Sequence, residues 1–286
     1  MMRALLAFAL LVSGMLVSGA LPTRAAPSRI VSINMCTDQM LLDFVAPERI
    51  FGLSPYARDA VRSWAAGKAR NHRILSGTAE EILVIQPDLV LSNRFSRRAT
   101  RDFLNEKAIP VAEFESVRSI ADARAQMLRF GVLVGAEEIA RARVAALDAA
   151  LEALRVTTAK HRLRVLPLAR RGWVSGRDTL TSDLLEKAGL VNAAAELGFR
   201  DGGFASLEAI VKLKPDAILV ARDDLSPEDQ GSAMLLHPAI AEAYPPERRL
   251  FMPERLTVCG GPMLVDAINE MRRQIERLEQ AAAPAR

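Results

Sequence analysis

Residues 78–94 read TAEEILVIQPDLVLSNR, and residues 206–222 read SLEAIVKLKPDAILVAR. The second segment repeats the spacing of the first, because each matching residue lies 128 positions further along the chain, as Glu208 does from Glu80. A Pro-Asp pair stands in the middle of both segments, and an arginine ends both. Two copies of one unit so far apart predict that the chain folds as two similar halves.

Each copy has the pattern of a short helix followed by a buried strand. Thr78 and Ser206 can cap their helices, because a hydroxyl accepts a hydrogen bond from a free amide of the first turn. Pro87 and Pro215 end the helices, since proline lacks an amide proton and disfavours helix in the residue before it. The apolar run after each proline is typical of a parallel strand covered on both faces. The sequence therefore predicts two α/β lobes.

Length and composition agree with two folded lobes. The chain has 286 residues, of which 50% are hydrophobic and 25% are charged. This length is sufficient for two domains with cores of their own, and the composition is that of a soluble globular protein. The formal net charge of +4 is small and no concentrated basic stripe accompanies it, so we expect no nucleic-acid partner.

The N-terminus has the pattern of a secretory signal peptide. Arg3 precedes an apolar run at residues 4–17, and small residues follow the run. Cleavage is expected after Ala20 or Ala25, with Ala25 preferred. A membrane anchor is the alternative, but the run is shorter than the roughly 20 residues that a bilayer requires. We therefore expect a signal peptide at residues 1–25 and an exported, periplasmic protein.

The rest of the chain divides into two lobes and a connector. Strand and helix patterns alternate in residues 29–118 and again in residues 162–280, which is typical of a parallel, doubly wound α/β lobe. Residues 119–161 between them are rich in residues of high helix propensity, with an interruption expected at Gly135. The predicted fold class is α/β, with two doubly wound lobes joined by a long rigid α-helix and a tail at residues 281–286.

The loops that follow the predicted strands are candidates for a ligand site, because ligands of open parallel sheets bind beyond the carboxyl ends of the strands. This rule selects a set of candidate ligand contacts: Asn34, Met35, Cys36, Tyr56, Arg58, Arg94, Phe95, Trp173, Arg222 and Arg255. A guanidinium fork suits carboxylate or catecholate oxygens, and aromatic rings can cover a flat organic ligand. The alternative for each arginine is an ordinary solvated loop charge.

Residues for catalysis or metal binding are not grouped in the sequence. His72, His161 and His237 have neither metal-ligand nor triad spacing, and no phosphate-binding glycine-rich loop follows the first strand. We therefore expect no catalytic residue, no protein metal site and no cofactor. An exported α/β enzyme that acts on a small anionic substrate is the alternative hypothesis.

The order and spacing of these features resemble a known family. RIVSIN at residues 29–34, the paired Glu…Pro-Asp units and the central helical stretch are similar to the substrate-binding proteins of ABC importers. Specifically, they resemble the helical-backbone class that serves ferric siderophores, haem and vitamin B12 (cobalamin), over essentially the whole mature chain. The resemblance implies a ligand cleft between the lobes and a metal chelate as ligand, either an iron complex such as a ferric siderophore or a corrinoid. It also implies a monomer whose partner is a permease dimer with its ATPase.

The resemblance assigns a role to the repeated glutamates as well. One glutamate on each lobe of such proteins docks into arginine pockets of the permease, and these positions fall on Glu80 and Glu208. The alternative is local, because the helix dipole favours an acidic side chain in the first turn by about 0.3–1 kcal/mol. A capping box of Thr78 with Glu81 would also explain the acidity around the first site.

Cys36 and Cys259 both fall in strand-end loops. Three interpretations compete: a disulfide near the cleft, a thiolate contact to the metal of the ligand, or two unrelated buried thiols. Two cysteines in an oxidising compartment often pair, and a disulfide between the lobes would limit their relative motion.

Overall fold

The computed structural model of the chain describes residues 25–157, 162–221 and 230–282. Residues 1–24, which hold most of the predicted signal peptide, and Arg222 lie outside the described residues. Across the described ranges, no helix combines the length and the apolar character that crossing a membrane requires.

The N-terminal lobe is built on a sheet of parallel strands in the order β2-β1-β3-β4. Its elements in chain order are β1 (Ile30–Ser32), α1 (Met35–Phe44), β2 (Ile50–Gly52), α2 (Ala79–Ile85), β3 (Leu89–Asn93), α3 (Arg98–Glu106) and β4 (Val111–Phe114). Both faces of the sheet are buried, since Ile30 and Leu91 pack in one core while Val31 and Val90 pack in another. This two-sided burial explains the continuous apolar run of the first repeat.

Two packed helices follow this lobe, α4 (Ile120–Val134) and α5 (Glu137–Val156). Gly135 ends α4 in a left-handed conformation with a φ of 66°, as predicted. The helices approach closely, because a Cβ added at Gly131 would lie 2.5 Å from the Cβ of Ala140. Arg143 of α5 pairs with the buried carboxylate of Asp43 on α1 at 2.7 Å. The prediction of one long α-helix between the lobes is therefore wrong, because Gly135 divides the connector into two packed helices, which Arg143 ties to the N-terminal lobe.

The C-terminal lobe repeats the strand order of the N-terminal lobe. Its elements in chain order are β5 (Arg164–Pro167), β6 (Trp173–Ser175), α6 (Leu180–Lys187), β7 (Val191–Asn192), β8 (Gly202–Phe204), α7 (Leu207–Leu213), β9 (Ala217–Val220), α8 (Ala233–Leu236), α9 (Pro238–Ala243), β10 (Arg249–Phe251), α10 (Glu254–Thr257) and α11 (Leu264–Ala282). Its parallel strands lie in the order β10-β9-β5-β7. Read from its other edge, this order is β7-β5-β9-β10, and it matches β2-β1-β3-β4 strand for strand. The two lobes with parallel sheets confirm the α/β class.

An antiparallel ribbon of β6 and β8 belongs to the C-terminal lobe, and it places Trp173 opposite Phe204. The sequence predicts a loop at Trp173, and this prediction is wrong because pairing with a distant segment converts the loop into a strand. Gly202 permits the pairing, since a Cβ at that residue would lie 2.5 Å from the indole of Trp173. The ribbon depends on contacts that local sequence does not encode.

One hydrophobic core runs through both lobes and the connector. It contains Ile30 of β1, Phe130 of α4, Leu147 of α5, Val165 of β5 and Ile268 of α11, all of them buried. Separating the lobes would expose this apolar surface to water, at about 25 cal/mol for each Å². The shared core therefore opposes large changes in the relative position of the lobes.

The aspartate of each repeated Pro-Asp pair ties its strand to the start of the neighbouring strand. Asp88 accepts hydrogen bonds from the amides of Ser28 at 2.7 Å and Arg29 at 3.0 Å. Asp216 accepts one from the amide of Arg164 at 2.7 Å. Burial raises the pKa of Asp88, but the hydrogen bonds from Ser28 and Arg29 outweigh burial and hold that pKa below its usual value. The repeated aspartate is thus part of the frame of each lobe.

The arginine at the start of β1 or β5 binds the end of the repeated helix. Arg29 donates to the carbonyl oxygen of Gln86 at 3.2 Å, and Arg164 donates to that of Lys214 at 3.0 Å. Both helices end before the proline, as predicted. However, Gln86 and Lys214 adopt left-handed conformations with φ of 51° and 46°, where proline favours an extended one. The arginine compensates carbonyl groups that the helix end leaves unpaired.

The two helix N-termini are capped differently. The hydroxyl of Ser206 accepts a hydrogen bond from the amide of Ala209 at 3.2 Å, whereas Thr78 makes no side-chain cap. The predicted capping box of Thr78 with Glu81 is wrong, because the Glu81 carboxylate accepts from the amide and hydroxyl of Ser76 at 2.7 and 2.6 Å. These bonds hold the pKa of Glu81 below its usual value.

Candidate functional site

The carboxyl ends of the two sheets provide the candidate site. Chain order reverses between β1 and β3 in the N-terminal sheet and between β5 and β9 in the C-terminal sheet. Loops leave in opposite directions at such switch points and open a crevice in which ligands of doubly wound sheets bind. The cavities at these two points therefore form the candidate site.

A cavity of about 460 Å³ lies at the carboxyl ends of β5, β9 and β10. Its wall is largely apolar, with Leu168, Ala221 and Met252 from the strand ends and Trp173 from the ribbon. Arg62, which belongs to the N-terminal lobe, also lines it. The cavity is therefore bounded by both lobes.

Two further cavities continue the first one along the N-terminal lobe. The second, of about 380 Å³, shares Thr181 and Thr257 with the first. The third, of about 430 Å³, shares Arg94 and Arg118 with the second. We call the three cavities together the interlobe groove.

Among the residues that the structure describes, charged side chains of both signs line the interlobe groove, five of each. The basic residues are Arg62, Arg94, Arg118, Arg129 and Arg170, and the acidic residues are Glu115, Asp122, Asp178, Asp201 and Glu254. Such a wall can bind an anionic group at one position and a donor group at another. The candidate arginines of this wall therefore stand beside carboxylates as well as apolar residues.

Some of these charged side chains form ion pairs with each other across the groove. Arg118 pairs with Asp201 at 2.6 Å, and Arg62 lies 3.8 Å from Glu254, so both contacts join the N-terminal side to the C-terminal lobe. Arg94 has no carboxylate partner in the part of the chain that the structure describes. Its guanidinium is the best placed to receive an anionic oxygen of a ligand.

Asp178 at the wall of the groove is held in its ionised form. A hydrogen bond of 2.7 Å from Arg200 keeps the pKa of Asp178 below its usual value. Because this carboxylate already has a basic partner, it does not neutralise Arg94.

Exposed aromatic side chains gather at the same edge of the fold. Among the described residues they are Tyr56, Phe95, Trp173 and Phe204, with 54%, 69%, 39% and 66% of their surface accessible. The rings of Trp173 and Phe204 meet edge to face with centroids 5.1 Å apart, and Arg94 lies 4.8 Å from the ring of Phe95. Large aromatic groups are normally buried, and of these four Trp173 lines the interlobe groove itself.

Three of the predicted contacts are used within the protein. Asn34 caps α1 by accepting a hydrogen bond from the amide of Cys36 at 2.9 Å, and Met35 packs against the core. Arg58 donates to three carbonyl oxygens in residues 69–72, at 2.7 to 3.3 Å. A ligand would have to share these groups with the loops that they hold.

Of the two predicted arginines of the C-terminal lobe, the structure describes only Arg255, and Arg255 does not line the groove. Arg222 lies outside those residues. Arg255 is exposed on α10, but the groove is lined by Glu254, Thr257 and Val258 of that segment. Helical spacing places these three on one face and Arg255 on another.

The structure joins Cys36 and Cys259 in a disulfide, with their Cα atoms 5.3 Å apart. Cys36 is in the first turn of α1, whereas Cys259 follows α10, and 223 positions separate them. The bond therefore links the N-terminal lobe to the C-terminal lobe beside the groove. Of the three competing interpretations, the structure contains the first.

Glu80 and Glu208 are both exposed in the first turns of α2 and α7. Each helix precedes a strand of its sheet and runs back along it, so each glutamate lies toward the carboxyl edge. The amide of Glu208 and the hydroxyl of Ser206 hold the pKa of Glu208 below its usual value. Both carboxylates are available to a partner that approaches this edge.

Asp38 is a buried carboxyl group past the carboxyl end of β1 that the sequence analysis missed. It has no accessible surface and accepts a hydrogen bond from the amide of Ser54 at 3.1 Å. Burial raises the pKa of Asp38 to about 7, against the opposing hydrogen bonds of Ser32 and Ser54. Its position among apolar residues in MCTDQMLLDF was the available signal. The carboxyl group fixes the loop that carries Tyr56.

Metal ligands are not clustered in the described residues, because no group of three or more His, Cys, Asp or Glu side chains there could hold a metal ion. Phe204 is a further residue that the sequence analysis missed, since its exposure depends on the ribbon. It extends the aromatic surface that Trp173 begins.

Comparison with solved structures identifies proteins with the same fold. One is a possible iron-binding (periplasmic solute-binding) protein from Staphylococcus epidermidis, with 19% identity and a TM-score of 0.72 over 88% of this chain and 99% of that one. Another is the periplasmic haem-binding protein RhuT from Roseiflexus sp. RS-1, with 21% identity, a TM-score of 0.72 and the same coverage. A periplasmic haem-binding protein from Pseudomonas aeruginosa has 20% identity and a TM-score of 0.67 over 87% and 92%.

Comparison of the sequence with protein families gives one match, and a search among curated proteins gives none. The pattern described as periplasmic binding protein covers residues 30–242. This span includes both repeats and most of both lobes, which removes the alternative of an exported enzyme. The chain belongs to the periplasmic binding protein family, whose members are non-enzymatic binding components of ABC importers.

Proposed function

We propose that this protein captures a metal chelate in the interlobe groove and delivers it to the permease dimer of an ABC importer, which its ATPase drives. The candidate ligands are a ferric siderophore, a similar iron complex or cobalamin. The observation that carries the proposal is the set of exposed aromatic side chains, Tyr56, Phe95, Trp173 and Phe204, at the edge where both sheets end. Burying such surfaces under a flat organic ligand is favourable.

The charges of the groove support the same class of ligand. Arg94 is open to an anionic oxygen, and a guanidinium suits the carboxylate or catecholate groups of iron chelators. The solved structures of the same fold include proteins named as haem-binding and as possibly iron-binding, so haemin belongs among the ligands to be tested. The protein acts as a monomer in this proposal.

Direct titration tests the capture step. Purified protein is titrated with a ferric siderophore, haemin and cobalamin, and binding is followed by the visible absorbance of each complex. One of them is expected to bind saturably at one site per chain. Failure of all three to bind, or chemical conversion of a bound chelate, would contradict the proposal.

Substitution of Trp173 and Phe204 locates the site. Trp173→Ala and Phe204→Ala are each expected to weaken binding about tenfold, because each removes an aromatic contact worth roughly 1–1.5 kcal/mol. Val156→Ala is the matched control, since Val156 is an exposed apolar residue at the end of α5 with 83% of its surface accessible. Equal effects of all three substitutions would place the ligand outside the groove.

The delivery step depends on Glu80 and Glu208 in this proposal. The double variant Glu80→Ala and Glu208→Ala should lose transport into vesicles that contain the permease and its ATPase, while its ligand affinity stays within about twofold. Glu106→Ala with Glu242→Ala removes one exposed glutamate from each lobe elsewhere and should transport normally. Transport by the first double variant at the wild-type rate would refute the docking role.

A further inference from the structure

The disulfide between Cys36 and Cys259 stands directly behind the wall of the interlobe groove. Thr257 and Val258, the two residues before Cys259, line the groove. Cys36 lies just past the carboxyl end of β1, at the switch point of the N-terminal sheet. The covalent bond therefore fixes a groove-lining segment of one lobe to the switch point of the other.

A buried glutamine extends this connection. Gln39 has no accessible surface, and its amide nitrogen donates to the sulfur of Cys259 at 3.3 Å. Its amide oxygen accepts a hydrogen bond from the backbone of Trp64 at 2.8 Å. The indole nitrogen of Trp64 in turn donates to Asp266 of α11 at 2.7 Å. We call the set Cys36, Gln39, Trp64, Cys259 and Asp266 the clasp.

The segment after Cys259 lies so close to the N-terminal lobe that it requires glycine. A Cβ added at Gly260 would lie 2.2 Å from a methyl carbon of Val117. Glu254 at the start of the same segment meets Arg62 of the N-terminal lobe at 3.8 Å. Residues 254–261 are therefore held against the N-terminal lobe at both ends.

We propose that the clasp sets the separation of the two walls of the groove, and that the protein gains its full affinity for the chelate only when the Cys36–Cys259 bond has formed. This inference rests on the proposed function for its ligand. The physical reason is preorganisation: without the bond, the binding-competent spacing is populated for a smaller fraction of the time, and the apparent affinity falls by that fraction.

The bond forms by thiol–disulfide exchange with an oxidising protein disulfide in the compartment to which the chain is exported. The two thiols lose two electrons and two protons as the bond between the sulfur atoms forms, and the partner disulfide is reduced to a dithiol. Thiols stay reduced before export. The precursor is then a weak binder, and capture of the chelate begins after export.

Hydrogen exchange tests the structural part without any ligand. Oxidised wild-type protein is compared with the double variant Cys36→Ser and Cys259→Ser. Amide exchange in residues 59–67 and 254–263 is expected to rise by about tenfold or more in the variant, while exchange in residues 79–93 stays unchanged. Equal exchange in both proteins would overturn the inference.

Titration with the chelate that binds wild-type protein tests the functional part. The double variant should bind about tenfold more weakly, as should wild-type protein that is reduced with dithiothreitol and then freed of the reductant under anaerobic conditions. Equal affinity would overturn the inference. If no chelate binds even oxidised wild-type protein, the proposed function fails, and hydrogen exchange still decides whether the clasp holds the lobes.

A second variant distinguishes a change in wall spacing from general unfolding of the cysteine variant. Gly260→Ala keeps the disulfide but forces the segment away from Val117, so it should also weaken binding. Gly67→Ala is its matched control, because a Cβ at Gly67 meets no atom within 4 Å. Wild-type affinity in Gly260→Ala protein would show that wall spacing does not control binding.

Discussion

The two lobes agree at the amino edges of their sheets and differ at the carboxyl edges. At the amino edge, Asp88 and Asp216 accept from the start of the neighbouring strand. Arg29 and Arg164 at that start bind the end of the repeated helix. These paired contacts explain why Pro-Asp recurs in the sequence. The repeat encodes the frame of a lobe.

At the carboxyl edge the lobes diverge. β1 leads directly into α1 with its buried Asp38, whereas β5 leads into a ribbon that carries Trp173 and Phe204. The N-terminal lobe presents Arg94 beside Phe95 in the corresponding region. The comparison teaches that the repeated residues build two similar supports, whereas the unrepeated loops form a groove with two different walls.

Asp38→Asn should give the largest change in the free energy of unfolding. It tests the buried carboxyl group, which belongs to the N-terminal lobe alone in this comparison. The pKa of Asp38 is raised from 3.8 to about 7 in the folded protein, so between these pH values the folded state keeps a proton that the unfolded state loses. The free energy of unfolding of the wild type therefore falls as the pH rises, by on the order of 4 kcal/mol in total. The asparagine variant lacks this contribution.

Urea denaturation of both proteins at a series of pH values from about 4 to about 9 measures the difference. The free energy of unfolding of the variant relative to that of the wild type should increase over this range and level off above the pKa of Asp38. Parallel stability curves would contradict the raised pKa. All other titrating groups are common to the two proteins and cancel.

Asp88→Ala and Asp216→Ala test whether the frame is equal in both lobes. Asp88 accepts from two amides and from the hydroxyl of Ser28, while the carboxylate of Asp216 accepts from the amide of Arg164. We expect losses of roughly 2–3 and 1–2 kcal/mol in the free energy of unfolding. A larger loss of stability for Asp216→Ala than for Asp88→Ala would contradict this order.

The contribution of Asp88 also depends on pH. Because its pKa is lowered in the folded protein, its stabilisation is present above its ordinary pKa and is lost as the pH falls through the lowered value. The gap between wild type and Asp88→Ala protein should therefore narrow below about pH 4. A gap that widens in acid would exclude the hydrogen-bonded carboxylate.

Ser206→Ala and Thr78→Ala compare the two helix N-termini. Ser206 makes a side-chain cap and Thr78 does not. Ser206→Ala should therefore lower the free energy of unfolding by about 1 kcal/mol, and Thr78→Ala should leave it nearly unchanged. Thermal or urea unfolding of both variants is sufficient. Equal losses would show that Thr78 caps α2 in solution.

Gln86→Gly and Lys214→Gly should give the smallest effects, and equal ones. Both residues hold left-handed conformations, which cost a residue with a Cβ about 1 kcal/mol, and the greater freedom of glycine in the unfolded chain offsets part of the gain. Each variant should be as stable as the wild type or more stable by less than about 1 kcal/mol. A clear loss in one of them would show that its helix end differs from the other.

The sequence predicted the elements that local pattern controls. Pro87 and Pro215 end their helices, and Gly135 ends α4, because backbone chemistry at those residues decides the outcome. The ribbon at Trp173 and the burial of Asp38 were missed, since both depend on segments far away in the chain. Local pattern does not contain such information.

The arginines of the site also show that local sequence does not reveal long-range contacts. Arg58 and Arg94 have the same side chain and similar positions after strands, yet Arg58 is bound to three carbonyl oxygens and Arg94 lines the groove. A guanidinium bound by its own loops cannot be distinguished by sequence from one that faces a ligand. The roles of Glu80 and Glu208 remain predictions from resemblance.

Anomalous diffraction from crystals of the oxidised, chelate-loaded protein tests the central claim most directly. The account predicts one iron or cobalt peak inside the interlobe groove, between Trp173 on the C-terminal lobe and Arg94 on the N-terminal lobe. A metal peak on the outer surface of either lobe, with the groove left open, would contradict it.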